Sequence, residues 1–141
     1  SDDESYFIGS KPNMGKETPF EENDLTSDQN RYRRTQELVR KNPQLRLWGV
    51  TNSWVKAVRN SYNITRKKSW LADIKTKIII FNSLEDKVVD PQKTIKINKA
   101  LSNSQIVNLR NIKHEILMEK DKHRISFWKS VDIFLDNLSL N

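Results

Sequence analysis

The sequence predicts an α/β chain: a mainly helical segment leads into two parallel strands with flanking helices, and the sheet is left incomplete. Three observations carry this. Ile78-Ile79-Ile80-Phe81 is a short β-branched run bounded by polar residues, as in a strand buried on both faces, and such strands belong mainly to parallel sheets. Asp90-Pro91 then reads as a helix start, and the stretch 104–111, with Ile106, Val107 and Leu109, as a second strand. Strand, helix, strand in this order is a right-handed parallel crossover. Between about 28 and 62, apolar residues recur at helical spacing.

Taken from the N-terminus, residues 1–24 lack apolar periodicity and hold Gly9, Pro12, Gly15 and Pro19, so they read as extended or loop. Ser27 or Thr26 is placed to cap a helix over about 28–41, with Asp28 in its first turn and Arg40 and Lys41 in its last. Asn42-Pro43 ends it, because proline disfavours helical backbone in the residue before it. Tyr32, Thr35, Leu38 and Val39 give this helix only a thin apolar stripe. A second helix starts near Thr51-Asn52-Ser53 after Gly49, and Trp54, Val55, Val58 and Tyr62 form a strong apolar face, for which core packing is the ordinary reading of Trp54. In the crossover helix Ile97, Ala100 and Leu101 supply the side expected to be buried. The last helix, about 124–138, offers Ile125, Trp128, Val131, Phe134, Leu135 and Leu138 to the sheet. Two strands cannot make a stable sheet alone, so the chain is expected to be incomplete.

Composition narrows the chemistry. With 141 residues there is room for about one domain. No apolar run approaches the ~18 residues of a membrane span. Cysteine is absent, which removes disulfides, cysteine-zinc sites, iron–sulfur clusters and thiol nucleophiles. The three glycines, Gly9, Gly15 and Gly49, make no G-x-S-x-G, G-x-G-x-x-G or P-loop spacing. Nothing in these patterns calls for a cofactor or a metal, and Met118 stands where a zinc-helix motif beginning at His114 needs a second histidine.

The net charge of +7 is unevenly spread: residues 1–28 carry a net −6 and residues 29–141 a net +13. A basic body attracts nucleic acid or anionic surfaces. The bases cluster only at Arg31-Tyr32-Arg33-Arg34 and Arg66-Lys67-Lys68, which belong to no nucleic-acid-binding motif. A solvated basic face is the simpler reading, and no specific nucleic-acid partner is expected.

In open α/β sheets, ligands and catalytic groups gather beyond the carboxyl ends of the strands. Asp86 falls there after the first strand and His114 after the second. Adjacent loops could bring the carboxylate to the imidazole Nδ1, where it would orient a general base. A loop aspartate is more often solvated and a lone histidine more often structural, so the pair is a candidate rather than a signature. His123, beside the start of the last helix, reads as surface.

Several longer stretches occur in a telling order: Pro19-Phe20 through Leu25-Thr26-Ser27, Arg31 to Arg34, Gly49-Val50-Thr51 with Trp54, Asp86 to Asp90, and His114-Glu115-Ile116-Leu117-Met118-Glu119-Lys120-Asp121. Together they resemble the bacterial lysophospholipase branch of the α/β-hydrolases, which is similar to the monoacylglycerol lipases. The resemblance implies the C-terminal portion of an α/β-hydrolase fold, with residues 1–70 as a cap or lid (the first 25 or so loop-like) and residues 71–141 as the core. It implies a serine hydrolase cleaving acyl esters of lysophospholipids or monoglycerides, with Asp86 as triad acid and His114 as triad base. In such a cap Trp48, Trp54 and Tyr62 could meet the lipid tail. The nucleophile elbow and oxyanion loop of the family fall before residue 1, so this chain is expected to be inactive alone. Two departures stand out: Trp48 replaces the first of two glycines usual before Thr51, and Asn111-Ile112-Lys113 replaces a glycine usual shortly before the histidine. The expected partners are a lipid ester and a missing N-terminal half, or a second copy through the sheet edge. The expected location is cytoplasmic, with peripheral contact to the inner membrane. The alternative is a non-catalytic assembly module that pairs its exposed strand edge.

Overall fold

The computed structural model describes residues 5–7, 17–46 and 49–139. The elements are α1 (Gln29–Lys41), α2 (Asn52–Thr65), α3 (Lys68–Ala72), β1 (Ile78–Ser83), α4 (Pro91–Ala100), β2 (Ser104–Leu109) and α5 (Asp121–Ser139), with 3-10 turns at Phe20–Glu22, Pro43–Leu45 and Ile116–Met118. The strands β1 and β2 pair in parallel, from Ile78 opposite Ser104 to Ser83 opposite Leu109, and among the described residues they are the whole of the sheet. The parallel strand-helix-strand unit expected from the sequence is therefore present. The loop expectation over 1–24 lies partly outside the described residues, as do Gly9, Pro12, Gly15 and Trp48. Within them, Tyr6 forms an isolated antiparallel bridge with Thr51.

The helix ends follow side-chain chemistry. The cap of α1 is Asp28, whose Oδ1 accepts from Arg31 N at 2.9 Å, and not Ser27 or Thr26 as expected. Those two hydroxyls are drawn away to the C-terminal half, Thr26 Oγ1 donating to Met118 O at 2.6 Å and Ser27 Oγ to Glu119. Thr51 caps α2 by accepting from Trp54 N, and Asp90 caps α4 by accepting from Gln92 N. Gly49, at φ 141°, takes a backbone angle that a side chain would resist.

Burial departs from the expectations in a consistent way. Strand β1 is only half-buried over Ile78–Phe81, because among the described residues it has one neighbouring strand where a core strand has two. The face of α2 expected to pack is exposed: Trp54 is 54% and Tyr62 55% accessible. In α4 the half-buried residues include Pro91, Thr94, Ile95 and Asn98, at helical spacing, while Ile97 falls on a flank and is exposed. Helix α5 begins three residues earlier than expected and turns Phe127, Ser130, Val131 and Phe134 inward. Phe127 packs on Phe81 of β1 with ring centroids 4.4 Å apart. Ile125 (67% accessible), Trp128, Leu135 and Leu138 instead lie on exposed faces, so only Val131 and Phe134 of the six residues assigned to the sheet are half-buried. The cause is composition: α5 is apolar on more than one stripe, and periodicity alone cannot rank the stripes. His123 is half-buried inside the first turn of α5 rather than on the surface.

Candidate active site

The site sits beyond the C-terminal ends of the two strands. Ser83, the last residue of β1, is buried and donates from Oγ to Ile112 O at 2.6 Å, which holds the segment following β2 against the end of β1. Asn82 reaches across the sheet to Asn108 Oδ1 at 2.9 Å. Strand β2 ends at Leu109, two residues short of the expected end, because Asn111 turns the chain with φ 58°. Asparagine is the side-chain-bearing residue that best tolerates this region. Asn111 N also donates to Glu85 Oε2 at 3.0 Å, tying the two loops together. Asn111→Gly is expected to leave stability within about 0.5 kcal/mol, whereas Asn111→Val should cost about 1–2 kcal/mol for forcing a branched residue into left-handed backbone; urea melts of the two variants check this.

These loops bring Asp86 and His114 together. Their contact is a hydrogen bond of 2.8 Å between His114 Nδ1 and Asp86 Oδ2. The Asp86 side chain is nearly buried, with 7% accessible, while the His114 ring keeps 32%. The other oxygen of Asp86, Oδ1, accepts from Val88 N at 2.7 Å and Val89 N at 3.1 Å. Burial pushes the Asp86 carboxyl up, but the bonds from His114, Val89 and Val88 outweigh it and hold the group below the ordinary carboxylate value of 3.8. An ionised carboxylate only accepts, so in the neutral imidazole Nδ1 carries the proton and Nε2 keeps its lone pair. Among the described residues Nε2 has no hydrogen-bond partner. The pair can therefore orient a base and stabilise the imidazolium that forms when it takes a proton.

A residue that sequence reasoning left without a role fixes the His114 loop. Glu119 is fully buried, and its carboxylate accepts from Ser27 N and Lys113 N, each at 2.9 Å, from Ser27 Oγ, and more weakly from Lys120 N. Beside it, His114 N donates to Asp24 O at 3.3 Å and Glu115 N to Leu25 O at 2.8 Å. Lys113 Nζ reaches Asn23 O at 2.5 Å. Arg31 closes the arrangement, donating to Asp28, to Glu119 O at 3.0 Å and to Asp121 at 2.5 Å. Segment 23–31 thus serves as the support on which the histidine loop rests. The available signal was the order of the motifs Leu25-Thr26-Ser27 and Glu119, which single-residue chemistry could not join.

Residues 9–121 match the Hydrolase_4 family, described as Serine aminopeptidase, S33. The chain belongs to the Hydrolase_4 family. This Hydrolase_4 chain is 33% identical over 117 residues to a probable lysophospholipase L2 of Haemophilus influenzae, the match covering 83% of this chain and 37% of that protein. Its fold is that of the α/β-hydrolases: it superposes with a TM-score of 0.64, at 15% identity, on a soluble variant of monoglyceride lipase from Saccharomyces cerevisiae solved with a substrate analogue. That superposition covers 81% of this chain and 40% of the yeast one. The Hydrolase_4 chain spans less than half the length of either relative. Among its described residues no helix is long and apolar enough to cross a membrane.

Proposed function

We propose that Asp86 and His114 are the acid and base of a serine hydrolase that cleaves acyl esters of lysophospholipids or monoglycerides, with the attacking hydroxyl supplied by polypeptide outside residues 1–141. The observation that carries this is the 2.8 Å bond that His114 Nδ1 donates to an ionised Asp86, which leaves Nε2 ready to take a proton. Sequence 1–141 has no G-x-S-x-G turn to expose a nucleophile. In the completed site a serine Oγ attacks the ester carbonyl as its proton passes to His114 Nε2. The imidazolium, steadied by Asp86, returns that proton to the leaving alcohol, and water then frees the acyl group by the same route. On this reading residues 1–70 act as the cap over the acyl groove and residues 71–141 as the core. Trp54 and Tyr62, exposed on α2, are the described aromatics available to an acyl chain; Trp48 lies outside the described residues. The protein works at the cytoplasmic face of the bacterial inner membrane, where such lipids are found.

The family description names an aminopeptidase, and the same machinery serves amides. The names of the Haemophilus and yeast proteins favour lipid esters. The test is complementation. Mixed with a polypeptide that carries a G-x-S-x-G elbow and the missing strands, the chain should hydrolyse a monoacylglycerol and a short-chain nitrophenyl ester. It should leave an amino-acid nitroanilide intact and be inactive by itself. Ester turnover by the isolated chain that His114→Ala abolishes would overturn the proposal. A second reading is favoured by the two-stranded sheet, the unit α/β proteins extend by adding strands: an assembly module. Association with the complementing polypeptide without turnover would support it.

A further inference from the structure

Helix α1 lies upstream of the strands, yet one of its side chains reaches the loop that carries His114. Asp28, the cap of α1, accepts from Arg31 N at Oδ1 and from Arg31 Nη1 at Oδ2, 2.6 Å away. The acid that caps the helix thus also folds the arginine back over the first turn. Nη1 donates as well to Glu119 O at 3.0 Å, and Nη2 donates to Asp121 Oδ1 at 2.5 Å. Among the described residues of α1, Arg31 is the one that hydrogen-bonds the C-terminal half. The two outward arms differ in worth. The Asp121 side chain is 71% accessible, so water screens that arm, whereas Glu119 is fully buried. The carbonyl that takes the protected arm belongs to the residue whose carboxylate accepts from Lys113 N at 2.9 Å, next to His114.

We propose that Arg31 is a positioning residue for His114: it clamps the Glu119 backbone, the Glu119 carboxylate then meets Lys113 N, and the imidazole is kept with Nδ1 on Asp86. This deepens the hydrolase proposal and rests on its reading of His114 as the base. The path from helix to ring is short, and its two contacts outside the chain itself are hydrogen bonds to buried Glu119. A fork of donors suits the task. Nη1 and Nη2 serve acceptors on two different residues while Asp28 fixes the plane of the guanidinium. A lysine ammonium gathers its donors at one nitrogen, so it can neutralise Asp28 or Asp121 without also holding Glu119 O. Arg40, on the same helix, forks instead onto Glu17 on its own side of the chain. It therefore offers a control with the same chemistry and no route to the base. Because the link is mechanical it works in both directions, and a displacement of the first turn of α1 carries the histidine loop with it.

The experiment reads two signals from the 141-residue chain: nitrogen-15 shifts of the His114 ring and amide exchange along the backbone. Arg31→Met should speed exchange at Lys113, His114 and Glu115 about tenfold beyond any change in β1 and β2, the worth of one hydrogen bond from a charged donor. In the same variant the fraction of rings protonated at Nδ1 should fall, a signature that a merely structural role would leave alone. Arg31→Lys keeps the charge and removes the fork, so it should show the same pattern, and it carries the test if the methionine variant does not fold. Arg40→Met should change either signal less than about twofold. An unchanged ring and unchanged loop amides in Arg31→Met would overturn the proposal. So would native behaviour in Arg31→Lys, equal loss in Arg40→Met, or faster exchange spread evenly through β1 and β2, which would mark a general loss of stability. None of these signals involves ester turnover, so the clamp can fail with the hydrolase proposal intact. Conversely, a complemented chain that turns over no ester while the Arg31 variants behave as expected would sink the hydrolase proposal and spare the clamp.

Discussion

Glu119→Ala is expected to lower stability by about 3–5 kcal/mol and to release the loop that carries His114. The substitution removes the acceptor for Ser27 N, Ser27 Oγ and Lys113 N at once. A buried donor left without a partner costs about 1–3 kcal/mol, and water entering after local relaxation keeps the sum below three full penalties. Glu119→Gln can keep its oxygen on Ser27 N and Lys113 N and turn its NH₂ to Ser27 Oγ, a hydroxyl able to accept, so that only the weak contact from Lys120 N is lost and the cost should be about 1 kcal/mol. Urea denaturation measures both losses, and amide exchange at Ser27 and Lys113 shows whether the loop opens ahead of the rest. A loss under about 1 kcal/mol for the alanine variant would show that segment 23–31 does not depend on this carboxylate.

The same group sets the acid limit. Burial pushes the Glu119 carboxyl up, but hydrogen bonds from Ser27, Lys113 and Lys120 more than offset it and leave it below the ordinary 4.5. Asp86 is lowered in the same sense. A carboxylate whose folded value lies below its unfolded value binds fewer protons in the native state. Its contribution is therefore complete above the unfolded value and disappears as pH falls through the folded one. Stability should hold from neutrality down to about pH 4.5 and drop below it, and Glu119→Gln should flatten that drop.

How far the sequence reached follows from which interactions are local. The strand Ile78–Ser83, the Asp90-Pro91 start and the stop at Asn42-Pro43 are written in neighbouring residues, and they appear where expected. Asp86 and His114 were singled out because strand topology alone places both at one rim. What escaped depends on contacts 90 or so residues apart. Thr26 and Ser27 look like helix caps locally, yet Met118 and Glu119 take their hydroxyls and leave the cap to Asp28. Glu119 looks like one more surface acid until the loop folds over it. The apolar stripes on α2 and α5 announce burial but not by what; among the described residues Trp54 and Ile125 stay more than half exposed, and the stripe that meets the sheet includes Phe127, packed on Phe81. Asn111 shows the reverse case, a purely local preference: asparagine tolerates left-handed backbone, and the chain turns there at φ 58°.

Asp86→Asn in the complemented enzyme is expected to reduce kcat by about 10³–10⁴ with little change in KM, the size of effect this exchange has in serine hydrolase triads. The geometry says why a neutral isostere cannot substitute. Val88 N and Val89 N both donate to Oδ1, so the amide oxygen of an asparagine must occupy that position. Its NH₂ is then forced toward His114 Nδ1, where the native carboxylate accepts. A donor there requires Nδ1 to accept, which moves the imidazole proton to Nε2 and removes the lone pair that should take the serine proton. Nitrogen-15 shifts of the His114 ring would register this tautomer exchange directly, in the same variant whose turnover is measured. His114→Ala should lose at least as much activity without any tautomer to report. Full activity in Asp86→Asn, or an Nε2–H tautomer already present in the native protein, would show that this pair does not run the reaction.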